Sequence, residues 1–351
     1  MIDGALPNKN IFKAYDIRGV VHQDLTTPIV KKIGQAIGSM ALSQKQENIC
    51  VGYDGRLSSP QLARELINGI LSTGIDVTNI GLCTTPMLYF SNYHLSTGTG
   101  VMITGSHNPP EYNGFKIVIN EKTLSSDEIQ HLYKIILNSS YQNGKGQEKS
   151  LSVKNAYLKK ISSSIKLKRP MKIAIDCGNG AGGVCAQELF ENLGVDVEAI
   201  FCNVDGNFPN HHPDPSDPKN FQDLKRILKE GNSELGLAFD GDADRLGVIT
   251  KDGEIIFPDR QLLLFSEAVL KKNPGSSVIF DVKSSRHLFS WIRQRGGKPI
   301  IWKTGHSLIK QKMKEINASL AGEMSGHIFF NDKWYGFDDG LYVAARLLEI
   351  L

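Results

Sequence analysis

The chain has 351 residues, too many for one ordinary hydrophobic core, so two or three domains are expected. Lys and Arg number 40 against 37 Asp and Glu, a net charge of +3 that lacks the basic excess of a nucleic-acid binder. No apolar run is long enough to cross a bilayer, and Met1-Ile2-Asp3-Gly4 lacks the basic-then-apolar layout of a secretory leader. The five cysteines are odd in number and scattered, with no CxxC pair to suggest a disulfide framework or a zinc site. They read as reduced core residues, which points to the cytoplasm.

One pattern recurs along the chain. Asn48 to Asp54, Lys172 to Asp176 and Ser277 to Asp281 are short Val/Ile-rich runs ending in Asp. Each precedes a loop and then a helical stretch, the layout of a buried parallel strand in a βαβ unit. Each helix is expected to end near a glycine (Gly74, Gly194, Gly296), before a second strand at Asp76–Leu82, Asp196–Cys202 or Lys298–Lys303. A third strand follows at Gly100–Thr104, Leu235–Phe239 and Ala318–Gly322. It leads into a polar loop: Thr104 to Pro109, Asp240 to Arg245, and Gly322 to His327. Apolar residues then resume at Phe115–Ile119, Leu246–Ile249 and Ile328–Phe330. The reading is α/β, with three similar mixed α/β domains over 1–150, 151–255 and 256–351. The polar stretch Asn138–Lys149 reads as loop or linker. Ligands gather at the carboxyl ends of parallel strands, so the three loops are expected to face one cleft.

The second loop carries the sharpest signal. Asp240, Asp242 and Asp244 alternate directly after an apolar strand, and three carboxylates that close repel one another unless a cation sits among them. Oxygen ligands suit Mg²⁺ or Ca²⁺. An EF-hand would need Gly and Glu where this chain has Arg245 and Lys251, so the calcium-loop reading fails. Arg245 fits a site that also holds a phosphate. In the first loop, Gly105 is expected to allow a tight turn, and Pro109 and Pro110 stiffen the exit. Ser106 is thereby a candidate nucleophile or phosphoryl carrier, although adjacent side chains such as Ser106 and His107 rarely point at one another. Arg18 and Lys116 are candidates for binding phosphate or moving protons. Lys283, His306, Glu323, Ser325 and His327 follow strand ends in the third unit and are candidates for sugar and phosphate contacts.

Gly178 to Gly183 satisfies GxGxxG between a strand and a helix, the context of a dinucleotide turn. The acid that should bind the ribose is poorly placed, whether Glu198 or Asp205, and a dehydrogenase would leave the Ser106 and Asp240 loops without a role.

Taken together, Ala14 to Gly19, Thr104 to Pro109, His211 to Pro215, Asp240 to Arg245 and Gly322 to His327 resemble the α-D-phosphohexomutase family. Within it the likeness is to the bacterial phosphomannomutase/phosphoglucomutase group. The resemblance implies that Ser106 is a phosphoserine whose phosphate joins Asp240, Asp242 and Asp244 around Mg²⁺. It implies reversible interconversion of hexose 1-phosphate and hexose 6-phosphate through a hexose 1,6-bisphosphate, which also serves as activator. Arg18, Lys116, His107 and Arg245 then assist phosphoryl and proton transfer, while Tyr15, Lys283, His306, Glu323, Ser325 and His327 bind substrate. The loop Gly-Glu-Met-Ser-Gly-His is similar to the mannose/glucose group, since phosphoglucosamine mutases usually carry Gln at the place of Met324. Hexose phosphates are the implied partners, with no nucleic acid and no membrane.

The family has a fourth domain whose loop clamps the substrate's non-reacting phosphate. This sequence ends in the apolar helical stretch Leu341 to Leu351, which lacks the Gly, Pro or basic last turn of a natural helix end. The expectation is a chain without the fourth domain and with an incomplete third, weakly active or binding metal and sugar phosphate without turnover.

Overall fold

A computed structural model describes residues 6–351, so the Met1 to Gly4 stretch considered as a leader lies outside the described residues. The chain forms two compact units. One runs to Val153 and includes Asp205–Asn207; the other comprises Lys154–Val204 and Phe208–Leu351. Among the described residues no helix is long and apolar enough to cross a membrane.

The first unit holds one mixed sheet. Its strands are β1 (Ile17–Val20), β2 (Asn48–Tyr53), β3 (Asp76–Leu82), β4 (Gly100–Ile103), β5 (Tyr112–Ile119), β6 (Lys122–Thr123) and β7 (Glu148–Ser150). They lie in the order β1-β5-β4-β2-β3-β7, with β6 beside β5. The second unit holds two sheets. One contains β8 (Lys172–Asp176), β9 (Asp196–Ile200), β10 (Leu235–Phe239), β11 (Leu246–Thr250) and β12 (Ile255–Ile256), ordered β12-β11-β10-β8-β9. The other contains β13 (Ser277–Asp281), β14 (Lys298–Trp302), β15 (Leu320–Gly322) and β16 (Ile328–Phe330), ordered β14-β13-β15-β16.

The same four-strand core recurs in all three sheets. In each, the Asp-ending strand lies parallel to the next strand on one side and to the third on the other. The third then pairs antiparallel with a return strand. Each polar loop of interest therefore joins the third strand to its antiparallel neighbour. The expected glycines stop the helices Ser59–Leu71, Ala186–Asn192 and His287–Gln294, with φ of +98°, +82° and +76° at Gly74, Gly194 and Gly296.

Strand burial explains the sequence pattern. Ile49, Cys50 and Val51 in β2, and Ile173, Ala174 and Ile175 in β8, are fully buried, as strands covered on both faces require. The helix Ser59–Leu71 opens with Pro60 in its first turn and buries Leu62, Leu66, Ile67 and Ile70, a single stripe at helical spacing. Each such side chain contributes roughly 1.5–3 kcal/mol of transfer free energy. The polar stretch expected to be linker is partly structured instead. Glu148 to Ser150 add β7 to the sheet edge by pairing with Val77 to Asn79, which needs main-chain groups but no apolar side chains.

In the second unit the helix Gly340–Ile350 is fixed by Asp339, whose carboxylate accepts the Tyr342 N–H at 2.9 Å and the Tyr157 hydroxyl at 2.8 and 2.9 Å. Burial pushes the Asp339 carboxyl up to about 7 from its ordinary 3.8, against the opposing hydrogen bonds from Tyr342, Tyr157 and Trp334. The native state then holds this proton more tightly than the unfolded chain, so stability falls as pH rises from about 3.8 to about 7. Asp339→Asn is expected to flatten that slope, read as urea midpoints across the window; an unchanged slope would assign it to other groups.

Candidate functional site

In the first unit, Ser106 sits in the loop after β4, beyond Thr104 and Gly105, on the return toward β5. Its φ is +49°, a left-handed conformation that is uncommon outside glycine. Its N–H donates to Thr104 Oγ1 at 2.8 Å, and its Oγ lies 3.3 Å from His107 Nδ1. The neighbouring Ser and His side chains do meet, contrary to the usual divergence of adjacent residues, because the left-handed turn folds the chain back between them.

The loop is built around a buried guanidinium. Arg56 donates to the carbonyls of Pro109 at 2.6 Å, Tyr112 at 2.9 Å, Ser106 at 2.8 Å and Asn108 at 2.5 Å. Its Nε is 3.3 Å from Asp54 Oδ2, and both side chains are 1% exposed. Asp54 also accepts the Gly105 N–H at 3.1 Å. The role of Gly105 differs from the expected one. The left-handed turn falls on Ser106, and Gly105 is required because a Cβ there would lie 2.2 Å from the Arg56 guanidinium.

Arg18 on β1 pairs with Gly114 of β5, and Lys116 follows two residues later on the same strand. Directly opposed residues of an antiparallel pair share a face, so Arg18 and Lys116 present to one side of the sheet. Arg18 donates to the Gly105 carbonyl at 2.9 Å and pairs with Asp16 at 2.5 Å. Lys116 is buried, and Tyr15 and His107 are half-buried.

In the second unit, the loop between β10 and β11 carries the three alternating aspartates. Asp240, Asp242 and Asp244 are fully buried, and one carboxylate oxygen from each lies within 4.8 Å of the others. Asp240 Oδ1 accepts the N–H groups of Asp244 and Arg245, both at 3.1 Å, which closes the loop on itself. Arg245 Nε is 3.7 Å from Asp240 Oδ2. Burial opposes the Arg245 charge, but Asp240 and Asp244 outweigh it and raise its pKa. Three carboxylates against the one guanidinium of Arg245 make a buried, acid-rich, all-oxygen set. That donor chemistry fits Mg²⁺. The start of the helix Gly340–Ile350 supports the loop from behind. Gly340 N–H donates to Ala243 O at 3.1 Å, and a Cβ at Gly340 would meet Arg245 O at 2.6 Å.

The sugar-loop candidates adjoin this loop. Arg245 and His327 form an antiparallel bridge, and Arg245 Nε donates to His327 Nε2 at 3.1 Å. Nε2 is thus the acceptor, which leaves the imidazole proton on Nδ1, 3.0 Å from Asp338 Oδ2. Lys310 reaches Asp338 Oδ1 at 3.0 Å, and His306 Nδ1 lies 3.8 Å from Asp338 Oδ2. Burial pushes the Asp338 carboxyl up. Lys310 and the hydrogen bond with His327 outweigh it and hold the carboxyl well below its ordinary range. The His306 and His327 rings stack at 5.5 Å. Asp244, His327 and Asp338 also fall within metal-ligating distance of one another, but Arg245 and Lys310 already occupy this group.

Glu323 Oε1 accepts the Gly305 N–H at 2.5 Å, and burial raises its pKa against that hydrogen bond. Ser325 Oγ is a buried atom with no hydrogen-bond partner among the described residues, while Lys283 is exposed. A crevice of about 220 Å³ beside Ser325 is lined by Phe221, Leu246, Ile256 and Phe257, too apolar for a phosphate. The GxGxxG segment serves packing: Ala181 N–H donates to Gly241 O at 2.9 Å, directly behind the aspartates.

Sequence reasoning missed Arg56, Asp338, Lys310 and the three strand-end aspartates as organisers of these loops. For the aspartates the signal was present, since each βαβ run ends in one. Asp54 takes the Gly105 N–H, Asp176 takes the Gly178 N–H at 2.8 Å, and Asp281 takes the Ser284 and Met324 N–H groups at 3.1 and 3.3 Å. Arg56 and Lys310 carry no such mark, because a buried cation reads in a sequence like a surface one.

Comparison with known proteins agrees with this architecture. Residues 9–143 match the family described as phosphoglucomutase/phosphomannomutase, alpha/beta/alpha domain I; residues 155–253 match its domain II and residues 257–351 its domain III. A phosphoglucomutase of Neisseria meningitidis serogroup A is 56% identical over 347 residues, covering 98% of this chain and 75% of that protein. A phosphomannomutase/phosphoglucomutase of Pseudomonas aeruginosa is 52% identical over 342 residues, covering 97% of this chain and 74% of its own. The crystal structure of a phosphoglucomutase/phosphomannomutase family protein from Burkholderia thailandensis superposes with a TM-score of 0.96 at 49% identity, covering 98% of this chain and 77% of that one. The three repeated α/β sheets, the buried aspartate loop and these matches along nearly the whole chain place it in the phosphoglucomutase/phosphomannomutase family.

Proposed function

We propose that this chain interconverts the 1- and 6-phosphates of glucose and mannose through a phosphoserine at Ser106 and a hexose 1,6-bisphosphate. The observation that carries the reading is the set of three fully buried carboxylates, Asp240, Asp242 and Asp244, beside Arg245 in a member of this family. The partition into domains at 1–150, 151–255 and 256–351 belongs to the same proposal. Bound Mg²⁺ supplies neutralisation of phosphoryl charge at the three carboxylates.

The chain's own residues do the rest. Phosphorylated Ser106 gives its phosphoryl group to a free hydroxyl of the hexose monophosphate. The hydroxyl proton departs, and the Ser106 oxygen takes one up. In the second half, Ser106 Oγ attacks the other phosphate of the bisphosphate and restores phosphoserine. His107 at Ser106 Oγ, with Arg18 and Lys116 on the neighbouring strands, is suited to hold phosphate oxygens and move those protons. His327, with Nε2 on Arg245 and Nδ1 3.0 Å from Asp338 Oδ2, is held beside Arg245 at the edge of the aspartate loop. Tyr15, Lys283, His306, Glu323 and Ser325 are the proposed sugar and phosphate contacts; the unpartnered Ser325 Oγ favours a polar ligand there.

The test combines intact mass with a coupled assay. Incubation with glucose 1,6-bisphosphate and Mg²⁺ should add one phosphate, mapped to Ser106, and chelation of Mg²⁺ should prevent its exchange with sugar phosphate. A chain that stays unmodified under these conditions overturns the reading. Phosphate on Ser106 without glucose 6-phosphate or mannose 6-phosphate formation would instead indicate binding without turnover.

A further inference from the structure

The GxGxxG segment, which the proposed reaction does not use, is flanked by two cysteines that the fold brings together. Cys177 follows β8, and Cys202 lies two residues beyond the neighbouring parallel strand β9. Their sulfurs are 3.0 Å apart, about 1 Å longer than a disulfide bond of ~2.05 Å.

The backbone holds this approach in place. Gly178 and Asn179, just after Cys177, have φ of +50° and +57°, and Phe201, just before Cys202, has φ +51°. A left-handed phenylalanine is a strained conformation that persists only where its surroundings enforce it. Here Asn179 N–H donates to the Phe201 carbonyl at 2.7 Å, and the chain at Gly183 packs so closely that a Cβ would lie 1.9 Å from Cys202 O. The two thiols differ in access. Cys177 is fully buried and Cys202 is half-buried. The hydrogen bond to Cys202, and then burial, raise the Cys177 thiol well above its ordinary range. The exposed edge of Cys202 is thus the point where an oxidant enters.

We propose that Cys177 and Cys202 are an oxidisable dithiol that closes to a reversible disulfide on contact with a hydroperoxide. The Cys202 sulfur attacks the O–O bond, gaining an S–O bond and losing its proton as the remaining oxygen leaves as water or alcohol. The Cys177 sulfur then attacks the sulfenic sulfur, the S–O bond breaks, and hydroxide leaves with the Cys177 proton as water. Two thiols are oxidised and one hydroperoxide is reduced. The bond spans the segment whose Ala181 N–H holds Gly241 of the aspartate loop, so the redox state is written directly behind that loop.

This inference does not depend on the mutase reading, because thiol masses report it without turnover. Cys177, Cys185 and Cys202 fall in the single tryptic peptide 173–219, and cleavage after Glu188, Glu191 or Glu198 separates Cys202 from the other two. The full chain is treated with hydrogen peroxide, denatured, alkylated and digested. Peptide 173–219 is expected to lose two hydrogens and to take one alkyl group, on Cys185, rather than three. Dithiothreitol should restore all three sites; Cys202→Ser should abolish the change and Cys185→Ser should leave it. Full alkylation after peroxide, oxygen addition at Cys202 without loss of two hydrogens, or a bridge through Cys185 would each overturn the proposal.

Discussion

Asp242→Asn is expected to unfold at a higher temperature than the parent chain in the absence of divalent metal, and to lose the stabilisation that Mg²⁺ confers. Asp240, Asp242 and Asp244 are fully buried, with carboxylate oxygens within 4.8 Å of one another and Arg245 as the cation at their edge. Without metal this is repulsion stored in the native state, and an amide of the same shape relieves part of it. With metal the balance reverses. At an Mg²⁺ concentration 100 times Kd, binding stabilises a native state by about 2.7 kcal/mol. A chain lacking one of three charged ligands forfeits most of that gain. Phosphoryl transfer should fall by roughly 10²–10³-fold, the usual scale for removing one electrostatic element of a transition-state site. Thermal melts with EDTA and with Mg²⁺, alongside the coupled assay, read all three effects. A variant that melts lower than the parent in EDTA, yet retains the full Mg²⁺ increment, would mean that the triad is not the metal site.

Arg56→Lys should destabilise the chain by about 3–5 kcal/mol and leave Ser106 poorly phosphorylated, although it keeps the charge. The guanidinium gives two bonds from each terminal nitrogen to the carbonyls of Ser106, Asn108, Pro109 and Tyr112, and sets its Nε against Asp54. An ammonium is a point with three donors. It cannot reach four carbonyls spread around a plane, so buried acceptors are left without partners. Urea unfolding and intact mass after bisphosphate treatment measure the two effects. A variant within about 1 kcal/mol of the parent, with normal phosphate uptake, would show that the guanidinium is dispensable.

The readability of this sequence followed the range of the forces involved. The strands were legible because Val and Ile runs buried on both faces have one stable use, and three copies of the pattern reinforced one another. The aspartate loop was legible because crowded like charges at a strand end demand compensation wherever the chain folds. Glu148 to Ser150 were not legible, since their pairing with β3 rests on main-chain hydrogen bonds that any side chain permits. Arg56 and Lys310 were hidden for a different reason: the partners that justify burying them, at Pro109 and Asp338, lie 53 and 28 residues away along the chain. The Cys177–Cys202 approach belongs with them, joining residues 25 apart that no spacing rule would pair.

The left-handed turn at position 106 also determines which alcohol the chain can use there. Threonine offers the same hydroxyl and the same chemistry as a phosphoryl acceptor. At φ +49°, however, its second Cβ substituent would crowd the backbone, a conformation that β-branched residues rarely tolerate. Serine at this position is thus imposed by the sterics of the backbone rather than by a chemical preference of the reaction. A primary alcohol is the side chain that can stand on this turn and still be esterified.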